Sequence, residues 1–169
     1  MADPRRSMSN DDFAWQVHSA LGDWTARVDI KASIVLGLES AALGLILALS
    51  QGAGPLHGLT RARLDIFYGG VASISLSIIL AIAVVFPQLS RRRAKRTWRD
   101  NTIYFGHLRR WNDADLAQRL ASANAAPLDQ LARQLIIVSK IAWRKHVFLQ
   151  YSMVALLGGL LLVGGSAIM

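Results

Sequence analysis

Three long apolar runs dominate the pattern of hydrophobic and polar positions along the chain. Residues 66–86 and 147–168 contain no Asp, Glu, Lys or Arg, and residues 32–50 contain a single acidic side chain, Glu39. Each run reaches the roughly 20 residues that an α-helix needs, at about 1.5 Å per residue, to cross about 30 Å of hydrocarbon. A chain of 169 residues that is 53% hydrophobic leaves too little polar sequence to cover three such helices in water. The pattern therefore predicts three transmembrane helices.

The segment before the first run has the spacing of an amphipathic helix. Ser9 and the acidic residues that follow it predict a helix start. The helix is predicted to continue unbroken into the first span, with an apolar stripe that packs against other cytoplasmic helices. The positions at this spacing are Phe13, Val17, Ala20, Leu21, Trp24 and Val28.

Between the second and third runs the pattern changes several times. Arg91–Arg99 is predicted to prolong the second helix, and Asn101–His107 to interrupt it, because β-branched residues, aromatic residues and glycine weaken a helix. Asn112 is a predicted cap for a short helix over 113–123. Pro127 suits the first position of a last helix, which is predicted to run unbroken into the third span.

The predicted fold is an all-α membrane protein, in which three transmembrane helices carry cytoplasmic helical extensions that form a small bundle. The extensions are an N-terminal amphipathic helix over residues 1–31 and a basic helical module over residues 87–146. The predicted spans cover 32–50, 66–86 and 147–168, and an external loop covers 51–65.

Charge orients the predicted spans. Residues 88–146 contain 13 Lys/Arg against 4 Asp/Glu, whereas residues 51–65 contain only two Arg. Because cytoplasmic loops retain Lys and Arg, the N-terminus is predicted to be cytoplasmic and the C-terminus periplasmic. The net charge of +8 (19 minus 11) lies beside membrane spans, where anionic lipid explains it, so a nucleic acid polymer is not a predicted partner.

Sequence patterns for catalysis are absent. The chain has no Cys, which excludes cysteine nucleophiles and cysteine metal sites, and its four His are scattered over segments predicted to lie on both sides of the membrane. It contains no HExxH, Walker A or GxSxG sequence. We therefore expect no enzyme activity, no metal and no cofactor.

Three charged side chains lie in the first predicted span or at its edge. Glu39 is about two helical turns inside the span, where a carboxyl group must face protein or water or take up a proton. It is a candidate pore-lining, gating or helix-packing residue. Asp29 and Lys31 lie at the inner boundary, where a lysine side chain can extend to the headgroups. Alternatively, these two residues anchor a helix contact or line a ligand site.

Small residues around Glu39 form a stripe that suits close helix packing. The packing partner is either another helix of the same chain or a second copy, and a homo-oligomer is expected. The stripe consists of Ser33, Gly37, Ala41, Gly44 and Ala48.

The segment Asn101–His107 combines an amide, two aromatic rings, a glycine and an imidazole, and arginines surround it. Aromatic faces stack on bases, amides contact base edges and cations meet phosphate, so this mixture suits a small phosphorylated base. The alternative is an aromatic turn that plugs the cytoplasmic bundle. Lys140 on the last helix raises the same two possibilities. The surrounding cations are Arg96, Arg99, Arg109 and Arg110.

Three short elements resemble a known family. Asp29-Ile30-Lys31-Ala32 resembles the D-x-K-A segment that enters the first membrane span of Pycsar transmembrane effectors. Asn101-x-x-x-Phe105-Gly106-His107 is similar to their N-x-x-x-F-G-H element after the second span. Residues 135–145, with Ser139-Lys140-Ile141 and then Lys145, are similar to their L-S-K-I-x-x-x-K stretch before the last span.

The resemblance implies a bacterial antiphage effector in the inner membrane. A partner cyclase makes a cyclic pyrimidine mononucleotide, cUMP or cCMP, and the effector senses it and compromises the membrane, which causes abortive infection. On this hypothesis the ligand-binding residues are Asp29, Lys31, Asn101, Phe105, His107 and Lys140. The residues expected to carry the membrane response are Glu39 and Gly37. The alternatives are a membrane scaffold whose basic module docks a protein or anionic lipid, and a channel without nucleotide control.

Overall fold

The computed structural model describes residues 9–51, 54, 56–86, 98–122 and 127–168. Three of its helices, Asn10–Ser50, Arg61–Val85 and Leu128–Ile168, are long and apolar enough to cross a membrane. The part of the chain that is described contains no strand, and the predicted all-α fold with three membrane helices is confirmed. In chain order the elements are α1 (Asn10–Ser50), α2 (Arg61–Val85), a 3-10 turn (Trp98–Asp100), α3 (Phe105–Leu108), α4 (Asp113–Ala121) and α5 (Pro127–Ile168).

Helix α1 begins where the sequence predicts and continues without a break for 41 residues. The Asp12 backbone N–H donates to Ser9 Oγ at 3.1 Å, and the Ser9 backbone N–H donates to the Asp12 carboxylate at 3.3 Å. This reciprocal cap satisfies two backbone donors that a helix start leaves without partners.

The buried face of the first part of α1 agrees only in part with the predicted stripe. Phe13 and Trp24 are both 57% exposed, whereas Ala14, Leu21 and Val28 are buried. These three buried positions recur every seven residues, which corresponds to two helical turns. The prediction is therefore confirmed at Leu21 and Val28 and wrong at Phe13 and Trp24, and the buried line also includes Ala14, which the predicted stripe did not contain.

The helix caps around the basic module follow the sequence signals, with one correction. The Asn112 side chain accepts from the Asp115 backbone N–H at 2.7 Å, which confirms it as the cap of α4. The last helix begins at Pro127, as predicted. Helix α2 ends at Val85, and the predicted helical continuation is wrong at Trp98 and Arg99, which lie in a 3-10 turn. The rest of that prediction, residues 91–97, lies outside the described residues.

A proline explains the end of α2. Phe86 precedes Pro87 in the sequence and adopts an extended backbone with ψ of 131°. The proline ring disfavours helical dihedrals in the residue before it, so the helix stops at that point.

The chain divides into two compact units. The membrane unit comprises Thr25–Phe86 and Trp143–Met169, and the basic unit comprises Met1–Trp24 and Pro87–Ala142. Helices α1 and α5 contribute residues to both units, whereas α2 belongs to the membrane unit alone.

In the membrane unit, α2 runs antiparallel to α5, and polar groups join them along their length. Ser73 Oγ donates to the carbonyl of Ala155 at 2.7 Å. At one end, Arg63 donates from Nε to the Ser166 carbonyl at 2.8 Å and from Nη2 to the Ala167 carbonyl at 2.9 Å. The last carbonyls of a helix have no partners within it, so a cation there satisfies them and complements the helix dipole.

Two glycines set the distance between α2 and α5. A Cβ atom added at Gly70 would lie 2.8 Å from the Gly159 carbonyl oxygen, and one added at Gly159 would lie 2.8 Å from the Gly70 carbonyl oxygen. The two backbones are therefore in mutual contact, as small residues permit in membrane helix pairs.

Candidate functional site

Glu39 is fully buried among the three membrane helices. Its Oε1 atom accepts hydrogen bonds from Ser77 Oγ on α2 and from Ser152 Oγ on α5, the latter at 3.2 Å. Ser77 Oγ also lies 2.6 Å from the Ser152 carbonyl oxygen and 3.1 Å from Ser152 Oγ. One residue from each helix thus meets in a polar cluster, which we call the Glu39 cluster.

The Glu39 cluster has spare hydrogen-bonding capacity. Glu39 is 0% exposed, and its second oxygen, Oε2, makes no hydrogen bond to any residue that the structure describes. A buried polar atom without a partner carries a free-energy penalty, so the closed packing of the three helices is opposed at this point. A rearrangement that hydrates Oε2 removes that penalty.

The two glycines of the small-residue stripe around Glu39 have no close neighbour among the residues that the structure describes. All members of the stripe are exposed, and a Cβ atom added at Gly37 or Gly44 would meet nothing within 4 Å. The alternative of packing inside the chain thus has no contact at Gly37 among the described residues, and the choice between the two partners stays a prediction. The glycines that allow close packing between α2 and α5 are Gly70 and Gly159, which lie outside the predicted stripe.

Asp29 and Lys145 form an ion pair within the membrane unit. Lys145 Nζ lies 2.6 Å from Asp29 Oδ1, and the side chains of Lys145 and Asp29 are 8% and 37% exposed. The pair joins α1 to α5, as one of the predicted roles of Asp29 required. Lys31 is exposed and lies two residues from Asp29, so the two side chains point to different faces of α1.

The segment between Asn101 and Arg110 forms an aromatic turn in the basic unit. The Tyr104 ring contacts Phe105 with centroids 4.6 Å apart and His107 with centroids 5.2 Å apart. Phe105 is 63% exposed, whereas His107 is buried. The turn therefore presents the exposed Phe105 ring, which packs against Tyr104, and Tyr104 in turn contacts the buried imidazole.

Arg110 influences the electrostatics of the aromatic turn. Burial lowers the pKa of His107 below its usual 6.5, and the nearby guanidinium of Arg110 lowers it further. The Arg110 Nε atom is buried and makes no hydrogen bond to a described residue. A neutral imidazole thus lies beside a cation with an unused donor, and a bound anion could use that donor.

Two tryptophans hold the start of the turn. Trp111 Nε1 donates to the Trp98 carbonyl at 3.1 Å, and the two rings pack edge to face with centroids 5.2 Å apart. The Asn101 backbone N–H donates to the same carbonyl at 3.4 Å. This contact places Asn101 at the base of the aromatic turn.

The last helix reaches the turn through Gln130. Gln130 Oε1 accepts from the Thr102 backbone N–H at 3.2 Å and from Thr102 Oγ1 at 3.3 Å. A glutamine on an amphipathic helix has no distinctive sequence signal, and only the tertiary contact reveals it.

The structure gathers some of the predicted residues and separates others by unit. Asn101, Phe105 and His107 belong to one turn of the basic unit, and Lys140 is an exposed residue of α5 in the same unit. Asp29 and Lys31 belong to the membrane unit. Their roles in ligand binding stay predictions, and so does the role of Lys140.

Sequence reasoning missed the partners in these contacts. Ser77 and Ser152 are serines inside apolar runs, and this is the signal that could have indicated them. Within the described residues, no three His, Asp or Glu side chains are grouped so that they could hold a metal ion.

The fold and these contacts define a small helical membrane protein with a basic aromatic module. The sequence profile of the Pycsar effector protein domain family, PycTM, matches residues 13–169. The chain therefore belongs to this family and is a transmembrane effector of Pycsar antiphage defence, as the resemblance predicted. Family membership implies a membrane location and a cyclic nucleotide signal made by a cyclase. Neither the curated proteins nor the solved structures contain a match to this chain.

Proposed function

We propose that this effector senses cUMP or cCMP with its basic unit and responds by compromising the bacterial inner membrane, which causes abortive infection. It acts without enzyme activity. The observation that carries the proposal is the aromatic turn, which contains the exposed Phe105 ring and Arg110, whose buried Nε atom makes no hydrogen bond to a described residue. Family membership supplies the class of ligand.

The aromatic turn has the groups that a pyrimidine nucleotide needs. The exposed face of Phe105 offers a stacking surface for the base, and stacking is worth about 1–3 kcal/mol per base. Arg110 offers a charge-assisted donor to the cyclic phosphate. Asn101 and His107 complete the predicted set in this turn, and Lys140 adds a second cation from the same unit.

Asp29 and Lys31 keep their places in the proposal with different tasks. Asp29 already pairs with Lys145, so we assign it to the helix contact that the ligand state modifies. Lys31 is exposed at the predicted inner boundary, where it is available to an anionic ligand or headgroup.

The Glu39 cluster is the proposed origin of the membrane response. It joins all three membrane helices through one acceptor, Oε1, and leaves Oε2 without a partner among the described residues. A nucleotide can shift the helices to a second state only by binding that state more tightly, at about 1.4 kcal/mol for each tenfold change in population. Opening the cluster to water would place a carboxyl group along a path through the bilayer.

We propose that the effector acts as a homo-oligomer, with the small-residue stripe of α1 as the candidate face between copies. All members of the stripe are exposed, its two glycines have open space around them in the described chain, and small-residue stripes allow close approach of membrane helices. The proposed orientation keeps the N-terminus in the cytoplasm and the C-terminus in the periplasm, because the basic residues lie between the second and third helices.

Two measurements on the purified full-length protein test the proposal. Calorimetric titration with cUMP, cCMP and cAMP measures binding, and dye release from protein-containing liposomes measures the response. We expect binding of a pyrimidine nucleotide and release that depends on it. Arg110→Gln should weaken binding at least about tenfold, whereas the exposed neighbour Arg109→Gln should not.

Each alternative function predicts a different outcome. Dye release that is equal without nucleotide indicates a nucleotide-independent channel. Binding to anionic liposomes that follows salt concentration and ignores substitution of Asn101 or His107 indicates a scaffold. Binding of neither cUMP nor cCMP overturns the sensing proposal.

A further inference from the structure

The side-chain amide of Gln130 is held in one orientation. The Thr102 backbone N–H, 3.2 Å from Gln130 Oε1, can only donate a hydrogen bond. The amide must therefore turn its oxygen toward Thr102, and the Thr102 hydroxyl at 3.3 Å adds a second donor to the same oxygen. The assignment of Oε1 and Nε2 therefore follows from the backbone N–H of Thr102, which can only donate.

This orientation determines what Gln130 offers to a ligand. The Nε2 group carries two N–H donors on the side of the amide away from Oε1. Among the described residues, the hydrogen bonds of the Gln130 side chain are the two that Oε1 accepts from Thr102, and none involves Nε2. With its acceptor already occupied by Thr102, Gln130 presents donors only.

The turn that carries the proposed stacking surface also carries Thr102, the residue that holds the Gln130 amide. Thr102 and Phe105 are three residues apart, so their Cα atoms are separated by at most about 11 Å. We expect a base that stacks on Phe105 to extend toward the residues around Thr102. Both Thr102 and Gln130 belong to the basic unit, together with Phe105.

We propose that Gln130 donates a hydrogen bond from Nε2 to a ring carbonyl oxygen of the pyrimidine base. This inference rests on the proposed function and adds a base-reading residue to it. Uracil presents two carbonyl oxygens, O2 and O4, whereas cytosine presents O2 and an amino group at position 4. The Nε2 group of Gln130 can donate to either ring oxygen. It cannot form a hydrogen bond with the cytosine amino group, which is also a donor.

The test replaces the donor without disturbing its support. Gln130→Glu keeps an oxygen for both Thr102 donors and exchanges the Nε2 group for a second acceptor. The new acid lies in the first turn of α5, where negative charge is favourable, so the fold should persist. Gln118→Glu, on the exposed surface of α4 in the same unit, is the matched control for the added charge.

Calorimetric titration of wild type and both variants with cUMP and cCMP gives the readout. We expect Gln130→Glu to weaken binding of cUMP at least about tenfold, and Gln118→Glu to leave the affinity for both nucleotides within about twofold. A loss for cUMP with a gain for cCMP assigns the contact to position 4, because a carboxylate accepts from the cytosine amino group. A loss for both assigns it to O2. Either result supports the proposal.

Two results overturn the inference, and they are distinguishable. If wild type binds a pyrimidine nucleotide and Gln130→Glu binds both nucleotides with unchanged affinity, the assignment of Gln130 is wrong while the proposed function stands. If wild type binds neither nucleotide, the proposed function and this inference fall together.

Discussion

The carboxylate of Asp29 and the ammonium of Lys145 lie 2.6 Å apart and join the first membrane helix to the last. Each residue belongs to a different short element of the family resemblance, one at the entry to the first span and one before the last. The ion pair therefore connects the two sequence elements in the folded protein. A lysine that is 8% exposed needs a partner, because an unpaired buried charge is costly.

Removing the acid should destabilise the protein. Asp29→Asn leaves Lys145 buried without its counter-ion, and we expect the free energy of unfolding to fall by about 1–3 kcal/mol. The value is below that for a fully buried pair because Asp29 is partly exposed. Heat-induced unfolding in detergent measures the change, and Lys31→Gln on the exposed face should shift it by less than about 0.5 kcal/mol.

A double variant tests whether the unpaired ammonium of Lys145 causes the loss of stability in Asp29→Asn. Asp29→Asn combined with Lys145→Met should recover most of the lost stability, since neither charge remains. Equal stability of the single and double variants would contradict the role of the ion pair.

The Glu39 cluster predicts that shape and acceptor matter more than charge for folding. Glu39→Gln keeps an oxygen acceptor for Ser77 and Ser152, and the free energy of unfolding should stay within about 1 kcal/mol of wild type. Glu39→Ala removes the acceptor and leaves a cavity, with an expected loss of about 2–5 kcal/mol. Equal losses for the two variants would show that Glu39 is not held by these hydrogen bonds. The same variant also tests the membrane response. In liposomes that contain the protein, Glu39→Gln should reduce the cation flux that the nucleotide triggers, if the carboxyl group lines the path through the bilayer.

Close packing of α2 and α5 predicts a difference between two adjacent glycines. A Cβ atom at Gly159 would lie 2.6 Å from Ile74 Cγ1 and 2.8 Å from the Gly70 carbonyl oxygen, so Gly159→Ala forces the helices apart. We expect a loss of about 1–3 kcal/mol in the free energy of unfolding. At Gly158 nothing lies within 4 Å, and Gly158→Ala should be neutral or stabilising by up to about 1 kcal/mol.

The lowered pKa of His107 predicts a pH dependence with a definite sign. The folded protein resists protonation of this imidazole, whereas the unfolded chain takes up a proton near the usual pKa of 6.5. The contribution of neutral His107 to the free energy of unfolding is therefore fully present above pH 6.5. It decreases as the pH drops from 6.5 toward the lower pKa of the folded state. Thermal unfolding over pH 5 to 8, a range of about three units around the histidine pKa, should show this slope.

Two variants identify the group responsible for that slope. His107→Gln should remove the part of the slope that His107 causes, whereas His57→Gln in the membrane unit should retain it. An NMR titration of the His107 imidazole that gives a pKa at or above 6.5 would contradict the prediction.

The exposed stripe of α1 predicts a contact between copies. The chain has no Cys, so a single Ala41→Cys substitution should form a disulfide only across that contact. Adding Gly37→Leu should abolish the crosslink without unfolding the chain, because nothing lies within 4 Å of that position. Gly164→Leu, another exposed glycine with open space around it, is the control. A crosslink that persists in the Gly37→Leu variant would show that the contact between copies does not involve this face of α1.

Local signals in the sequence were sufficient for the elements and their caps. Ser9, Asn112 and Pro127 mark helix starts that the structure contains, because capping depends on neighbours three residues away. The stripe on α1 was predicted less well. Spacing alone favoured Phe13 and Trp24, but their exposed positions show that size does not decide which face is covered.

Partners of charged and polar groups were beyond the reach of the sequence. Glu39 stood out as an acid in an apolar span, yet its hydroxyl partners lie 38 and 113 residues away on other helices. Gln130 and Thr102 meet across 28 residues, and neither has a distinctive local pattern. Hydrophobic runs and caps are short-range properties, so the amino-acid order by itself determined three membrane helices, a basic module and the family. Which buried atoms meet depends on how the helices rotate and approach, and only tertiary packing decided that Asp29 pairs with Lys145, that Glu39 joins three helices and that Gln130 offers donors alone.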